Sequence, residues 1–346
     1  MKELISLLIL IITLTLSAVV CLAASSGAPV RHDFPRVGPY EVISGDFHMH
    51  TKHSDGRLNV RQRVEESYRW GYDVIAVTDH GKMAGYRVAK YIGEPLGMIV
   101  ISGFETGVAD KEHLVALNVP AGFEILDSHH LAEKPGEAKA YYRSELKKIA
   151  DAGGLVIYPH PHVGYREPVL WGVEQGIIQA IEYKNGVVGK GWNTVEDHGT
   201  YWYPDAVAFA LKHNLAIMAN SDVHANRAPE TSPVTLLLVT ERSVKGVMDA
   251  IKGRRTAARF DGMLWGRKDL LTDVLQSSVV ARKVAGGLEI ENFSPIALSG
   301  VIGSAKIDLK PYSKIEIPLD AKNITIKWDN VWTDLTTTLA TDHKVR

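Results

Sequence analysis

Between about residues 41 and 270, short apolar runs alternate with segments of helical periodicity. The runs VISGDFHMH, DVIAVTDH, MIVISGFE, LVIYPH and LAIMANSDVH read as buried strands that each end on polar, metal-ligating residue types. Strands are expected at Asp73–Thr78, Met98–Phe104, His113–Val119, Leu155–Tyr158, Ile177–Tyr183, Leu215–Ala219 and Thr256–Phe260. Between them, Asn59 is placed to cap a helix through VRQRVEESYRW that Gly71 ends. A second helix, 135–152, opens on Pro and Glu and stops at Gly153-Gly154. Pro204–His213 and Ser243–Ile251 are further helices, the latter closed by Gly253. About seven strands separated by helices imply an α/β fold with parallel pairing through crossover helices.

The texture changes near residue 275. ARKVAGGLEIENF, AKIDLKPYSKIEIPLD and NITIKWDNVWTDL alternate with period two and carry turn residues. The expected organisation is a large domain over 41–272 and a small antiparallel β domain over 273–346. The β domain either packs on the larger one and closes a face, or binds a ligand. Residues 25–40, SSGAPVRHDFPRVGPY, read as a linker. Ahead of it, one apolar run extends from Leu4 to Val20 and dissolves into Ala23, Ala24, Ser25 and Ser26. This is the pattern of an export signal over 1–24, with an uncleaved membrane anchor as the alternative. The expected location is periplasmic or secreted, with no stable membrane span once the signal is removed.

Composition narrows the picture. The 346 residues are 45% hydrophobic, enough for a sizeable core, and 39 basic against 40 acidic residues leave a net charge of −1. That balance gives no basic face for a nucleic-acid polymer. Cys21 is the only cysteine and lies in the signal segment, so disulfides and thiolate ligands drop out of consideration.

Six histidines and three carboxylates fall at or near the strand ends: His48, His50, Asp55, His80, Glu105, His113, His160, Asp222 and His224. Imidazole nitrogen and carboxylate oxygen together hold zinc, manganese or iron and leave a bound water to react. His48 and His50 alternate on a strand and so share a face, with Met49 turned to the core. Asp55 sits in Ser54-Asp55-Gly56, a turn that swings a carboxylate back toward the strand end, or is simply a turn former. Asp79 either orients a histidine or caps the next helix. Glu105, after an apolar strand, needs a cation to offset its burial, and carboxylates bridge ions. Pro161 fixes the turn after His160, and His162 is a spare histidine that can replace it. Asp222 and His224 again alternate on one face. Ligands at the C-terminal ends of parallel strands occupy the position where barrel enzymes keep their chemistry.

These strings resemble the PHP superfamily, named for polymerase and histidinol phosphatase members. The match runs through H-x-H-T-x-x-S-D-G, T-D-H, G-x-E, H-x-x-x-L, H-P and S-D-x-H, over roughly residues 44–226. The resemblance implies a distorted (β/α)7 barrel, with the C-terminal antiparallel β domain appended, and two or three divalent ions in the barrel mouth. By position, His48, His50, Glu105 and Asp222 would hold one ion. Glu105 would bridge to a second, held also by His113 and His160, and Asp55, His80 and His224 would hold the third. IEYKNG, YWYPDAVAFA, NSDVHA, the export signal and the trailing β domain look more like an exported phosphodiesterase branch than like the polymerase-linked members.

The chemistry expected is hydrolysis of small phosphodiesters or phosphomonoesters by a hydroxide shared between ions, with Glu105, His160 and Asp222 as the catalytic core. Lys82, Arg166, Lys184 and Arg227 lie just beyond strand ends and are candidates for binding the phosphate, or solvated loop charges. His53 and His162 are candidates for protonating the leaving group. Glu182 is either an acceptor behind a ligand histidine or a core-edge residue. Leu170–Gly172, Trp192 and Tyr201–Tyr203 offer rings that stack on a substrate or pack the rim. Two other readings are an amide or lactone hydrolase on the same scaffold and a non-catalytic metal-containing binding protein. The oligomeric state is not legible.

Overall fold

The structure, a computed structural model, describes residues 29–30, 32–109, 112–124, 135–186, 202–226 and 233–346. The expected export signal at 1–24, Trp192, Tyr201 and Arg227 lie outside the described residues.

Strands β1 (Glu41–Asp46), β2 (Val74–Ala76) and β3 (Ile99–Ile101) pair in parallel, with α1 (Val60–Arg69) and α2 (Tyr86–Gly93) in the crossovers. Asn59 caps α1 as expected: its side chain accepts from the Gln62 amide at 3.0 Å, and Gln62 reaches back to the Asn59 amide at 3.0 Å. Past Ser102 the chain enters a second sheet. Its order is β4 (Gly103–Ala109), β5 (Glu112–Leu117), β6 (Leu155–Tyr158), β7 (Ile178–Asn185) and β8 (Ala216–Asn220). Helices α3 (Pro135–Asp151), α4 (Glu167–Glu174) and α5 (Pro204–His213) connect its later strands.

The expectation of parallel pairing throughout is corrected at β4 and β5. Only residues 110–111 separate them, and a connection that short permits only an antiparallel hairpin. β5 and β6 are antiparallel as well, whereas β6, β7 and β8 are parallel. The run VTLLLV, absent from the strands expected above, forms β9 (Val234–Val239). β9 lies antiparallel between β1 and β10 (Thr256–Phe260), with α6 (Val244–Lys252) in the connection from β9 to β10.

The expected barrel is therefore an α/β arrangement of two mixed sheets, whose ladders do not run as one closed ring. The interior is nonetheless filled from both sheets. Ile43, Val74, Ile101, Val115, Ile157, Met218 and Leu237 meet in one buried apolar cluster. At the C-terminal ends of the parallel strands the sheets touch through single parallel bridges, Met49 to Val223 and His80 to Glu105. That rim carries the candidate site.

After β11 (Met263–Gly266) and α7 (Lys268–Ser278) the remaining strands are largely antiparallel, in keeping with the period-two pattern. β12 (Val279–Val284), β13 (Gly287–Asn292) and β16 (Lys314–Ile317) form a three-stranded sheet. β14 (Leu298–Ile302), β15 (Ala305–Leu309), β17 (Asn323–Trp332) and β18 (Thr338–Lys344) extend the first sheet through a parallel pairing of β17 with β11. Inside this region Trp328 donates its indole N–H to the Thr341 hydroxyl at 2.8 Å. Thr341 lies 2.8 Å from His343 Nε2, and His343 Nδ1 lies 3.1 Å from the Val279 carbonyl. The chain is satisfied with a neutral imidazole that donates to Val279 and accepts from Thr341. Upstream, the Val30 amide bonds to the Arg69 carbonyl at 3.0 Å and Val37 is buried, so residues ahead of β1 pack on α1 and the core.

Burial lowers the pKa of His343 despite its bond to the Val279 carbonyl. Below the ordinary histidine value of about 6.5, the unfolded chain binds a proton that the folded chain resists, so stability falls as pH drops through that value. Denaturant midpoints at pH 7.5 and 5.5 are expected to differ less in His343→Gln than in the wild-type chain. An equal difference in both would show that His343 does not carry this dependence.

Candidate metal centre

Most of the candidate ligands are delivered by the geometry of a strand end. His48 and His50 follow β1 on one face, with Met49 fully buried on the other. The His50 amide bonds to the Val223 carbonyl at 3.0 Å and the Asp222 amide to the His48 carbonyl at 2.7 Å, so the ends of β1 and β8 are zipped together. His160 and Asp222 hold positive φ angles of 23° and 50°, an unfavourable region for side chains other than glycine that turns both inward. Gly56 is required for the loop carrying Asp55, because a Cβ there would lie 2.5 Å from the His50 carbonyl carbon.

The nine expected residues meet around Glu105, which is 1% exposed. Its Oε1 lies 2.9 Å from His113 Nδ1 and 3.0 Å from His160 Nε2. Its Oε2 lies 3.1 Å from His48 Nε2, 3.2 Å from His50 Nε2 and 3.2 Å from His80 Nδ1. Asp222 Oδ1 is 3.0 Å from His50 Nε2 and 3.3 Å from His48 Nε2. On the outer side, Asp55 Oδ2 is 3.1 Å from His224 Nε2 and 3.5 Å from His80 Nε2.

Three groups have ligand atoms within 4.8 Å of one another: His48, His50, Glu105 and Asp222; His50, Asp55, His80 and His224; and His80, Glu105 and His113. The first coincides with one ion's expected ligands, and the second adds His50 to the third ion's set. His160 joins none of the groups, although its Nε2 faces Glu105.

The donor set fits divalent cations. His48 Nε2, His50 Nε2, His80 Nδ1, Glu105 Oε2 and Asp222 Oδ1 are all buried and converge on one region, where they face one another at 3.0–3.3 Å without forming well-directed hydrogen bonds. Imidazole nitrogens and carboxylate oxygens without thiolates suit zinc, manganese or iron.

Electrostatics point the same way. Burial alone would raise the Glu105 carboxyl, but His48 and His113 hold it well below the usual range. Burial would lower His50, but Asp222 and Glu105 outweigh it and push the imidazole up to about 9. His48 is likewise raised against its own burial by Asp222, Glu105 and Glu182. Cationic histidines here compensate the buried carboxylates, a role that metal ions fill when bound.

Glu182 answers both readings offered for it. Fully buried, it takes His48 Nδ1 at 3.0 Å and Asn220 Nδ2 at 2.9 Å on one oxygen. On the other it takes the His160 amide at 2.8 Å and Asn185 Nδ2 at 2.9 Å. The carboxylate thus fixes the ring of one ligand and the backbone of another. Asp79 caps no helix. It binds the Thr51 amide and hydroxyl, both at 2.7 Å, and the Ser54 hydroxyl at 2.8 Å, shaping the loop after His50.

Sequence reading missed Asp46, Arg63, Asn185 and Asn220. Asp46 accepts from the His48 and Ser221 amides at 3.2 and 3.1 Å, and burial raises its carboxyl to about 6. Arg63, fully buried, pairs with Glu66 and donates to the His50 carbonyl at 3.1 Å. Of the four, only Asn220 carried a signal, as the residue just before Ser221-Asp222.

The expected phosphate-binding cations separate. Lys82 is exposed beside the centre and donates to the His53 carbonyl at 2.9 Å. Arg166 is exposed at the start of α4. Lys184 is buried and paired with Asp261 at 3.0 Å. His162 donates to the His160 carbonyl at 2.7 Å, and burial and His160 push its imidazole down to about 4, so it is neutral near pH 7. The rings pack: Trp171 against Tyr142 at 6.2 Å and Trp202 against Trp265 at 5.3 Å.

Fold and centre together define an α/β protein with a His- and carboxylate-lined metal centre at its strand ends. Residues 46–157 match the PHP domain family. It is 34% identical over 86 residues to the phosphoribosyl 1,2-cyclic phosphate 1,2-diphosphodiesterase of Eggerthella lenta, covering 23% of this chain and 33% of that one. It is 36% identical over 136 residues to a PolC-type DNA polymerase III of Staphylococcus epidermidis, covering 36% of this chain and 9% of the polymerase. The chain thus spans a third or less of the length of these curated relatives. A two-domain protein from Bacteroides vulgatus, containing a predicted PHP-like metal-dependent phosphoesterase, shares the fold. Its TM-score is 0.73 at 23% identity, over 92% of this chain and 100% of that one.

Because Glu182 fixes His48, Glu182→Ala is expected to weaken metal binding by about 10–100-fold, with a smaller loss in Glu182→Gln. Competition with a chromogenic chelator measures this. An affinity within about twofold of wild type in the alanine variant would remove Glu182 from that role.

Proposed function

We propose that the protein is an exported metal-dependent phosphoesterase acting on small phosphodiesters or phosphomonoesters. The observation that carries this reading is the convergence of five buried polar atoms from His48, His50, His80, Glu105 and Asp222, which face one another without well-directed hydrogen bonds. When bound there, divalent ions supply an activated water and neutralise charge on the phosphoryl oxygens. Glu105, central to the cluster, orients five histidines at once, and Asp222 and His160 complete its inner wall. Lys82, exposed beside the centre, is placed to steer an anionic substrate. Arg166 and Arg227 are proposed as further phosphate contacts, with Lys184 contributing only if its pairing with Asp261 opens. The Eggerthella lenta relative, named a diphosphodiesterase, supports the diester arm. Export rests on the Leu4–Val20 run and the small residues after it.

Full-length protein loaded with manganese or zinc is expected to hydrolyse bis(p-nitrophenyl) phosphate. Glu105→Ala should lose at least about a hundredfold, the scale of removing one electrostatic stabiliser of a reacting group. Turnover of p-nitrophenyl phosphate alone would redirect the reading to a phosphatase. No turnover of either ester with metals bound would overturn it in favour of an amide or lactone hydrolase or a binding protein. N-terminal sequencing of protein recovered from a producing cell is expected to begin near Ala23–Ser26, and a retained Met1 would refute signal removal.

A further inference from the structure

At the end of the sheets opposite the metal centre, a cleft of about 750 Å3 opens between the start of β10, the turn before β8 and helix α7. Arg254, Arg255 and Arg267 line it. None of the three has a carboxylate partner among the described residues. Each is instead anchored by backbone carbonyls. Arg254 donates to the carbonyls of Asn214 and Lys252, Arg255 to Leu238 at 3.1 Å, and Arg267 to Leu215 at 3.2 Å. Carbonyl anchors orient a guanidinium fork without neutralising its charge.

One observation marks this cluster as more than a solvated basic patch. The Arg267 Nε, part of a guanidinium that lines the cleft, is buried with no hydrogen-bond partner. Arg254 holds a positive φ of 60° as the residue that ends α6, its amide and that of Arg255 bonding back to the Ile251 and Ala250 carbonyls at 3.0 and 2.9 Å. Burial and the nearby charge of Arg267 depress the pKa of Arg254. Asp269 and Asp273 line the same cleft from α7. The volume is that of a small-molecule site, and planar guanidinium forks match phosphate oxygens in pairs.

We infer that this cleft binds a small phosphorylated, hydroxyl-bearing molecule, with its phosphate on Arg254, Arg255 and Arg267 and its hydroxyl groups toward Asp269 and Asp273. The site is separate from the metal centre and does not depend on the reaction carried out there.

Calorimetric titration of the metal-loaded full chain with a dihydroxyalkyl phosphonate tests this, because a phosphoesterase leaves the P–C bond intact. Inorganic phosphate and glycerol are run beside it. The phosphonate should bind in two saturable phases, one at each end of the molecule. Arg254→Gln/Arg267→Gln should weaken one phase at least about tenfold and leave ester turnover unchanged. Inorganic phosphate should bind that phase more weakly than the phosphonate, and glycerol should not bind. A single phase, lost only in Glu105→Ala, would overturn the inference, as would two phases untouched by the arginine substitutions. Should the double variant fail to fold, Arg255→Gln, whose guanidinium lies over Tyr40 at 5.1 Å, is expected to weaken the same phase, and unchanged binding overturns the proposal.

Discussion

One buried negative charge organises the working end of this molecule. The Glu105 amide reaches the Thr78 and Asp79 carbonyls at 3.2 and 3.4 Å, and its own carbonyl accepts from Gly81 at 2.8 Å. Its backbone therefore helps join the two sheets, while its carboxylate gathers five histidines at their junction. A carboxylate at 1% exposure is tolerable only where cations surround it. The sheets close over that charge, and the same charge makes the rim suited to hold a divalent cation.

The consequence is a centre that is costly when empty. Buried polar atoms that face one another without well-directed hydrogen bonds, and positive φ angles at His160 and Asp222, are features that a bound cation would repay. Metal binding and local stability are thus linked through the same residues. The outer layer holds the ligand set in place: Glu182 has four donors, Asp79 has three, and Arg63 braces the His50 carbonyl.

The arginine cleft stands in contrast. Its three guanidinium groups are held by backbone carbonyls, with Asp269 and Asp273 lining the same cleft, at the opposite ends of the strands. One end of the fold gathers carboxylates and histidines that want cations, and the other gathers guanidinium groups that want an anion. Both arise where loops, released from ladder hydrogen bonding, can aim side chains at a common point.

Local sequence determined a great deal. Asn59 and Gln62 wrote the start of α1, and Pro204 and Gly253 marked helix ends. The alternation H-x-H placed two imidazoles on one face, because strand geometry turns every second residue the same way. The period-two stretches after residue 275 became antiparallel strands. Tertiary structure decided what spacing cannot encode. The β4–β5 hairpin, and with it the mixed sheet, depended on two intervening residues and on which neighbours each strand met. Asp46 and Arg63 serve the centre through partners distant in sequence or on another element, and such pairings leave no local pattern. Lys184 looked like the other strand-end cations until folding brought Asp261 beside it. Residue types and periodicity settle which chemistry is available, and only the packing of the two sheets settles which atoms meet.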